Sequence, residues 1–332
     1  MSVKHRYLWL LLAISLPAYA NECPDAPFRS SFLQPLASDL ERPAQEWQAK
    51  LAGIAATGIE TLYLQWSVYG DLDLSQDTGI GFLTGWLDQA HSSGLSVHLG
   101  LVADADFGTR ITEPADALSA YLSDLRARSL AVAGRLDARI GGHPAFAGWY
   151  LPEEIDDRSW ADAWQVDMLR EHLRAQVETL ARLSPAKTVS ISTYVSGARS
   201  ADQFEDLWRA LWAAAPHLHL LLQDGAGVGA LPRAEFNEYA QGINQIAAGQ
   251  DRYWGMIVEL FSQESGPPLD DAPFSATAAP IERVRQQLDA VAALTPGPDE
   301  TIAFSVPEYL LDPTRPGQDE LLSAYRRLYC RL

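Results

Sequence analysis

The sequence predicts an α/β protein built as a (β/α)8 barrel, and three observations lead to that prediction. Eight apolar segments alternate with segments of helical periodicity. The apolar segments are hydrophobic at successive positions, as parallel strands covered by helices on both faces must be. The chain of 332 residues suits one domain of this type, which typically needs about 250. An open, doubly wound sheet is the alternative, and the count of eight favours the barrel.

Each predicted strand is a short apolar run bounded by Gly, Pro or polar residues. In the run 188–194, Val189 and Ile191 alternate with small polar residues that are common in strands. The eight runs, in chain order, are 31–36, 60–68, 95–102, 146–151, 188–194, 218–223, 253–259 and 301–306.

Each predicted helix follows a strand and carries apolar residues three or four positions apart. In the first helix, Trp47, Leu51 and Ile54 share one face, and Gly58 supplies a stop signal. The eight segments, in chain order, are 43–57, 82–91, 115–140, 161–183, 202–214, 233–248, 281–294 and 319–329.

The first twenty residues have the features of a secretory signal peptide. Lys4 and Arg6 precede an apolar run that is shorter than the roughly 20 residues a membrane span needs. Ala18 and Ala20 are the small residues expected before a cleavage site. We therefore expect cleavage after Ala20, a barrel domain over residues 21–332, and a periplasmic or secreted protein without a stable membrane anchor. A core helix is the alternative, which the basic flank disfavours.

The two cysteines of the chain, Cys23 and Cys330, lie near its two ends. Exported proteins meet an oxidising compartment, and domain termini often lie close together. We therefore predict a Cys23–Cys330 disulfide that ties the two ends of the closed fold. Two unpaired thiols are the alternative.

The charge of the chain restricts its partners. The sequence has 25 Lys and Arg against 43 Asp and Glu, which gives a net charge of −18. Loss of residues 1–20 would remove two basic residues and no acidic one. Such a protein repels phosphate backbones and anionic membrane surfaces, so we expect no nucleic-acid partner. A neutral or amino-bearing substrate is favoured over a polyanionic one, and we expect a monomer.

Polar and aromatic residues end most of the predicted strands, where the active site of a (β/α)8 barrel lies. Carboxylates that end an apolar strand are costly to bury unless they are paired or used. The candidates for a site are Gln34, Gln65, Trp66, Trp149, Glu153, Glu154, Asp156, Tyr194, Gln223, Asp224, Glu259, Glu308 and Tyr309.

Two acidic segments stand out, Gly-Trp-Tyr-Leu-Pro-Glu-Glu-Ile-Asp at 148–156 and Trp-Gly-Met-Ile-Val-Glu at 254–259. Hydrolysis of a glycosidic bond needs two carboxyl groups. One protonates the leaving oxygen, and the other attacks the sugar carbon or activates water. This residue set therefore predicts carbohydrate chemistry.

The chain resembles the large retaining clan of barrel glycoside hydrolases, whose fourth strand often ends in Trp-x-Leu-x-Asn-Glu. Trp149, Leu151 and Glu154 occupy matching positions. By this resemblance, Glu154 is the acid/base and Glu259, after the seventh strand, is the nucleophile. The chain departs from the clan at Glu153, where the clan has an Asn that binds the sugar 2-hydroxyl.

The chain more closely resembles a group of exported bacterial barrel proteins of poorly characterised function. They carry Gly-Trp-Tyr-x-Pro-Glu-Glu-x-Asp after the fourth strand and Gln-Asp-Gly-x-Gly after the sixth, here 148–156 and 223–227. The resemblance implies a carbohydrate-active barrel, and it makes Asp224 a rival to Glu259 as the second catalytic carboxylate. A brace for the glycine turn is the alternative role for Asp224.

The other candidates are predicted to contact sugar, because aromatic faces suit sugar C–H faces and polar tips reach hydroxyls. Packing is an equal alternative for each single aromatic residue, including Trp66, Trp149, Tyr69, Tyr194 and Tyr309. The predicted substrate contacts are Gln34, Gln65, Trp66, Trp149, Glu153, Asp156, Tyr194, Gln223, Glu308 and Tyr309.

The leading hypothesis is therefore an exported glycoside hydrolase acting on a polysaccharide or oligosaccharide. The first alternative is a non-catalytic glycan-binding barrel that serves polysaccharide export or surface assembly. The second is a metal-assisted hydrolase with Asp and Glu ligands. No cofactor is predicted, because the glycines at 225–229 lack the full dinucleotide fingerprint. No metal site is predicted, because His217 and His219 have no third ligand nearby.

Overall fold

Eight parallel strands close into a barrel in the computed structural model of the protein, which confirms the predicted fold class. The structure describes residues 23–331 except 268 and 271, so the predicted signal peptide lies outside the described residues. The barrel strands are β1 (Ser30–Leu33), β2 (Thr61–Leu64), β3 (Ser96–Gly100), β4 (Phe146–Asp156), β5 (Thr188–Tyr194), β6 (Leu218–Gln223), β7 (Trp254–Glu259) and β8 (Glu300–Phe304). β1 pairs with both β2 and β8, which closes the ring.

A long helix follows each barrel strand and covers its outer face. Proline precedes four of these helices, where a missing backbone N–H removes no helical hydrogen bond. The helices are α1 (Ala44–Ala56), α2 (Asp77–Ser92), α3 (Ala115–Ile140), α4 (Ala163–Leu183), α5 (Ala201–Ala214), α6 (Arg233–Gln250), α7 (Ile281–Ala292) and α8 (Gln318–Tyr329).

The barrel has two apolar regions, because successive strand residues point to opposite faces. A small inner cluster fills the barrel, and a much larger core lies between strands and helices. Tyr150 of β4 belongs to the inner cluster, whereas its neighbour Trp149 belongs to the outer core. The buried members of the inner cluster are Phe32, Tyr63, Tyr150, Leu221, Ile257 and Ile302. This alternation decides whether a side chain at a strand end faces the barrel mouth or the helices.

Strand β4 is longer than predicted and continues through its acidic residues to Asp156. Its pairing with β5 shifts between Leu151 and Ile155. Pro152 lies within this shift. It has no N–H group to donate to the hydrogen bonds between strands, which accounts for the irregular pairing. Residues 153–156 therefore belong to the strand, and their side chains take fixed directions.

Two antiparallel hairpins, which the sequence did not predict, rise from the barrel. Val68–Tyr69 pairs with Leu72–Asp73 after β2, and Phe261–Ser265 pairs with Ser275–Ala278 after β7. The predicted strand 60–68 therefore ends early, at Leu64. These segments are too short and too mixed in polarity to show a clear period of two.

The predicted Cys23–Cys330 disulfide is present and joins the ends of the described chain. The closing helix α8 also contacts the end of α1, where the Tyr325 hydroxyl donates to the Thr57 carbonyl at 2.9 Å. Within the described residues, no helix is long and apolar enough to cross a membrane.

We expect the double variant Cys23→Ser/Cys330→Ser to unfold more easily than the wild type. The disulfide closes a loop spanning almost the whole domain, and such a constraint contributes about 2–5 kcal/mol. Urea unfolding of both proteins without reductant measures the difference. Reductant should bring the wild type to the midpoint of the variant, and equal midpoints without reductant would contradict the prediction.

Candidate active site

The carboxyl ends of the barrel strands bring together polar side chains from around the ring, as parallel strands dictate. Hydrogen bonds link several of them directly. The Gln223 amide donates to Glu154 Oε1 at 3.1 Å, and the Gln34 amide donates to Gln65 Oε1 at 2.7 Å. The backbone N–H of Gln34 lies 3.4 Å from Glu308 Oε1. Candidates from β1, β2, β4, β6 and the segment after β8 therefore share one end of the barrel.

Glu154 faces the barrel mouth, where its carboxyl group is hydrogen-bonded by Gln223. Gln223 lies two residues after Leu221 of the inner cluster and thus on the same strand face. Burial raises the pKa of Glu154, and the charge of Asp156 raises it further, while the hydrogen bond from Gln223 opposes the shift. A carboxyl group with a raised pKa is suited to donate a proton.

Glu153 points the other way, into the layer between β4 and α4. It is 3% exposed, and its Oε1 atom lies 3.2 Å from His172 Nε2 and 2.9 Å from Gln176 Nε2, both on α4. The Gln176 amide donates this second bond. Glu153 therefore attaches α4 to the barrel, and its carboxylate is directed away from Glu154.

Two other predicted substrate contacts are occupied by contacts within the protein. Trp149 is fully buried on the outer face of β4, where its indole N–H donates to Ser184 Oγ at 3.3 Å. Asp156 is 4% exposed and accepts hydrogen bonds from the backbone N–H groups of Arg158 and Ser159. Trp149 is a packing residue, and Asp156 braces the loop that follows β4.

Glu259 ends β7 and is held by the loop 223–227. The backbone N–H of Gly227 donates to Glu259 Oε2 at 2.5 Å. A Cβ atom at Gly227 would lie 2.8 Å from that oxygen and 2.7 Å from the Phe261 carbonyl oxygen, too close for any side chain. The second glycine of the Gln-Asp-Gly-Ala-Gly motif therefore lets the loop backbone approach the carboxyl group.

Asp224 braces the backbone of Glu259 from behind. Its Oδ1 atom accepts from the N–H groups of Glu259 at 3.3 Å and Ala226 at 3.2 Å. Its Oδ2 atom accepts from the Gln287 amide at 2.6 Å, and that amide also donates to the Glu259 carbonyl at 3.1 Å. The sequence left two roles open for Asp224, a catalytic carboxylate and a brace for the glycine turn. These hydrogen bonds are those of a brace.

Asp224 also lines a cavity outside the barrel, between α6 and α7. The cavity has a volume of about 200 Å³ and is walled mainly by apolar side chains, among them Phe236, Met256 and Val291. Asp224 therefore faces the helix layer, whereas its neighbour Gln223 faces the barrel mouth. This placement favours Glu259 over Asp224 as the partner of Glu154.

Asp224, which is partly buried, and Glu259, which is buried, form an acidic pair. Burial raises the pKa of Glu259, and the charge of Asp224 raises it further; the Gly227 N–H and the Arg283 guanidinium oppose the shift. Burial also raises the pKa of Asp224, against the hydrogen bonds that favour its ionised form. The pair therefore holds protons to higher pH than isolated carboxyl groups would.

Glu308 lies in the turn Val306–Leu310 after β8. Burial raises its pKa to about 7, while the charges of Lys50 and Arg315 and hydrogen bonds from backbone N–H groups, including that of Gln34, act in the opposite direction. The following residue, Tyr309, is buried and stacks on Phe261 with ring centroids 5.2 Å apart. Tyr194 is partly exposed at the end of β5, and its pKa is raised by burial and by the charges of Asp156 and Glu154.

Two residues of this site were missed in the sequence, Arg283 and Gln287, whereas Gly227 was singled out only as part of the 223–227 motif. Arg283 and Gln287 lie one helical turn apart on α7, and Arg283 Nη2 donates to the carbonyls of Glu259 and Phe261. Gln287 interrupts the apolar stripe of an amphipathic helix, which is the signal that would have singled it out. In the described part of the chain, no three His, Cys, Asp or Glu side chains form a group suited to a metal ion.

Comparison with known proteins identifies the family. The chain matches the family described as "Domain of unknown function (DUF4434)" over residues 29–317. It belongs to that family. The uncharacterized protein YbcH of Escherichia coli K12 is 29% identical over 240 residues, which cover 72% of this chain and 79% of that protein.

Solved structures share the barrel of this DUF4434 protein. A putative α-L-fucosidase from Bacteroides thetaiotaomicron aligns with a TM-score of 0.72 and 17% identity, over 98% of this chain and 99% of that one. An intracellular xylanase from Thermoanaerobacterium saccharolyticum aligns with a TM-score of 0.52 and 14% identity, over 89% and 94%. At such identities the likeness shows a fold shared with glycoside hydrolases.

The raised pKa of Glu308 predicts how stability depends on pH. The folded protein keeps this proton up to a pH of about 7, whereas the unfolded chain releases it near 4.5. The folded state therefore binds more protons in this interval, so the free energy of unfolding falls as the pH rises from about 4.5 to 7. Relative to Glu308→Gln, we expect the wild type to lose about 1–3 kcal/mol over that range and little above it.

Urea unfolding of both proteins at a series of pH values measures this difference, in which the contributions of other groups cancel. Glu282→Gln, an exposed change on α7, is the matched control and should run parallel to the wild type. Parallel curves for the wild type and Glu308→Gln would contradict the prediction.

Proposed function

We propose that this DUF4434 protein is an exported glycoside hydrolase, with Glu154 and Glu259 as its catalytic carboxyl groups. The observation that carries the proposal is that Glu154 near the end of β4 and Glu259 at the end of β7 lie on the inward faces of their strands, as do Tyr150 and Ile257. Glu259 is buried and Glu154 is partly buried, burial raises the pKa of both, and each is held by an oriented hydrogen-bond donor. Two carboxyl groups carried on strands are what glycosidic hydrolysis requires, which supports the proposal.

Glu154 protonates the leaving oxygen in this mechanism. Burial raises its pKa, which favours the protonated form that a general acid needs, and Gln223 orients the carboxyl group. As the bond between the sugar carbon and the leaving oxygen breaks, the proton passes from Glu154 to that oxygen. The ionised Glu154 then accepts a proton from the water that completes hydrolysis.

Glu259 attacks the sugar carbon, and Asp224 serves as its positioning residue. Only the ionised form of Glu259 can attack. Burial and the charge of Asp224 raise its pKa to about 8, and the Gly227 N–H and Arg283 act in the opposite direction. The positive charge that develops on the sugar in the transition state favours the ionised form. Asp224 holds the Glu259 backbone through two hydrogen-bonded links, its own and that of Gln287.

The substrate is a neutral or amino-bearing polysaccharide or oligosaccharide. Net negative charge and a mouth that contains several carboxyl groups oppose polyanionic glycans. The amide groups of Gln34 and Gln65 offer donors and acceptors to sugar hydroxyls. The signal-like N-terminus and the disulfide support a periplasmic or secreted location.

A non-catalytic glycan-binding barrel, serving polysaccharide export or surface assembly, is the second candidate. The observation that favours it is the raised pKa of Glu259 beside Asp224, because a protonated carboxyl group binds a sugar hydroxyl but does not attack a carbon. The two candidates differ in a single measurable outcome, the release of new reducing ends from a glycan.

We expect Glu154→Gln to lower kcat on a cleaved glycan by about 10²–10⁴, the usual contribution of a general acid. Reducing-end assays on neutral and amino-bearing polysaccharides measure it. Glu153→Gln is the matched control, because it makes the same change at the preceding residue, whose side chain faces α4. It should keep activity if circular dichroism shows that it folds. Full activity of Glu154→Gln would reject its role, and lack of hydrolysis by the wild type would favour the binding barrel.

We expect Asp224→Asn to move the acidic limb of the pH–activity profile to lower pH, by roughly one unit. Loss of the neighbouring negative charge lowers the pKa of Glu259, so the nucleophile ionises at lower pH. The profile of kcat/KM reports this pKa in the free enzyme. Loss of all activity in Asp224→Asn, with Glu259→Gln still active, would instead make Asp224 the catalytic carboxylate.

A further inference from the structure

Tyr69 presents an exposed aromatic ring at the rim of the barrel, which the proposed reaction does not use. It lies on the hairpin that follows β2, and its ring packs against the Trp66 ring with centroids 4.5 Å apart and planes tilted by 33°. Tyr69 is 38% exposed, whereas Trp66 is 9% exposed. The two rings form a platform. Its inner ring, Trp66, is fixed in the protein, and its outer ring, Tyr69, is open to solvent.

The platform is held in place before any ligand binds. The Trp66 indole N–H donates to the Pro35 carbonyl at 2.8 Å, which anchors the lower ring to the loop after β1. The hairpin backbone is tied on both sides. Ala103 N–H donates to the Val68 carbonyl at 2.9 Å, and Leu74 N–H donates to the Ser67 carbonyl at 2.8 Å. Binding on this ring would therefore require little ordering of the chain, which favours affinity.

The platform lies at the same rim as a row of hydrogen-bonding groups, although Trp66 itself packs in the outer core. Glu308 lies next to Gln34, Gln34 donates to Gln65, and Gln65 directly precedes Trp66. A sugar ring has an apolar C–H face and an edge of hydroxyl groups, which matches an aromatic face beside amide groups. A single exposed aromatic ring is common on protein surfaces; Tyr69 differs because it packs on Trp66, which is anchored to Pro35, the residue that follows Gln34 of this row.

We propose that Tyr69, packed against Trp66, is an outer sugar-binding subsite for a glycan chain that runs from the catalytic pair past β8, β1 and β2. This inference rests on the proposed function and adds to it. It makes the substrate a chain that is bound several units away from the cleaved bond. The exposed acidic residue Asp71, two positions after Tyr69 in the same hairpin, is better suited to a hydrated glycan than to an apolar protein surface.

The experiment compares two substrates, a soluble polysaccharide that the wild type cleaves and a short aryl glycoside of the same sugar. We expect Tyr69→Ala to lower the ratio of kcat/KM on the polysaccharide to kcat/KM on the glycoside by about tenfold. Tyr69→Phe keeps the ring and should keep the ratio. Tyr329→Ala is the control, because it removes an aromatic ring next to Cys330 at the other end of the barrel. An unchanged ratio in Tyr69→Ala overturns the subsite and leaves the hydrolase proposal standing.

Binding without cleavage separates the two proposals. Affinity electrophoresis of Glu154→Gln through gels containing hydroxyethylcellulose or chitosan measures retardation by a neutral and an amino-bearing chain. We expect one of these to retard Glu154→Gln and to lose most of that effect in Glu154→Gln/Tyr69→Ala. If the retardation depends on Tyr69 but the wild type cleaves no glycan, the subsite stands and the hydrolase proposal fails. If neither polysaccharide retards the protein, or if Tyr69→Ala leaves the retardation intact, the subsite is overturned.

Discussion

Closure of the parallel barrel is the constraint on which the rest of the structure depends. Each strand hydrogen-bonds to two neighbours, so all eight carboxyl ends meet at one rim. The same closure leaves an interior only wide enough for side chains, which Phe32, Tyr63 and Tyr150 help to fill. Every strand-end residue must therefore face either the small mouth or the helix layer. The site is the set of polar residues that this geometry directs to the mouth.

The pair of Asp224 and Glu259 shows how that geometry supports chemistry. The carboxyl group of Glu259 is buried beside the partly buried Asp224, which is costly unless hydrogen bonds and charges compensate the pair. Donors from the backbone of Gly227 and from Gln287 supply part of that compensation, and Arg283 supplies the nearby positive charge. The outer helix α7 therefore helps to set the position and the protonation of a residue in the barrel mouth. The Gln-Asp-Gly-Ala-Gly motif, which the sequence indicates as a glycine turn, positions the carboxyl group of Glu259 in the structure.

Much of the fold was predictable because its signals are local. All eight barrel strands and their helices appear near the predicted positions, since continuous apolar runs and helical spacing are properties of short segments. The disulfide followed from two cysteines near the chain ends. The hairpin that carries Tyr69 was not predicted, because two-residue strands have no periodicity to detect. The contact between the Tyr69 and Trp66 rings depends on that hairpin.

The sequence by itself determined the strand count, the class of residues at the strand ends and the acidic character of the site. It did not determine which way each of those residues points. Glu153 and Glu154 are chemically identical neighbours, yet one attaches to α4 and the other is hydrogen-bonded by Gln223 at the mouth. Trp149 likewise packs outside the barrel beside an inward Tyr150. Only the tertiary structure decides these directions, because they follow from the pleat and the register of β4 against strands that are distant in the chain.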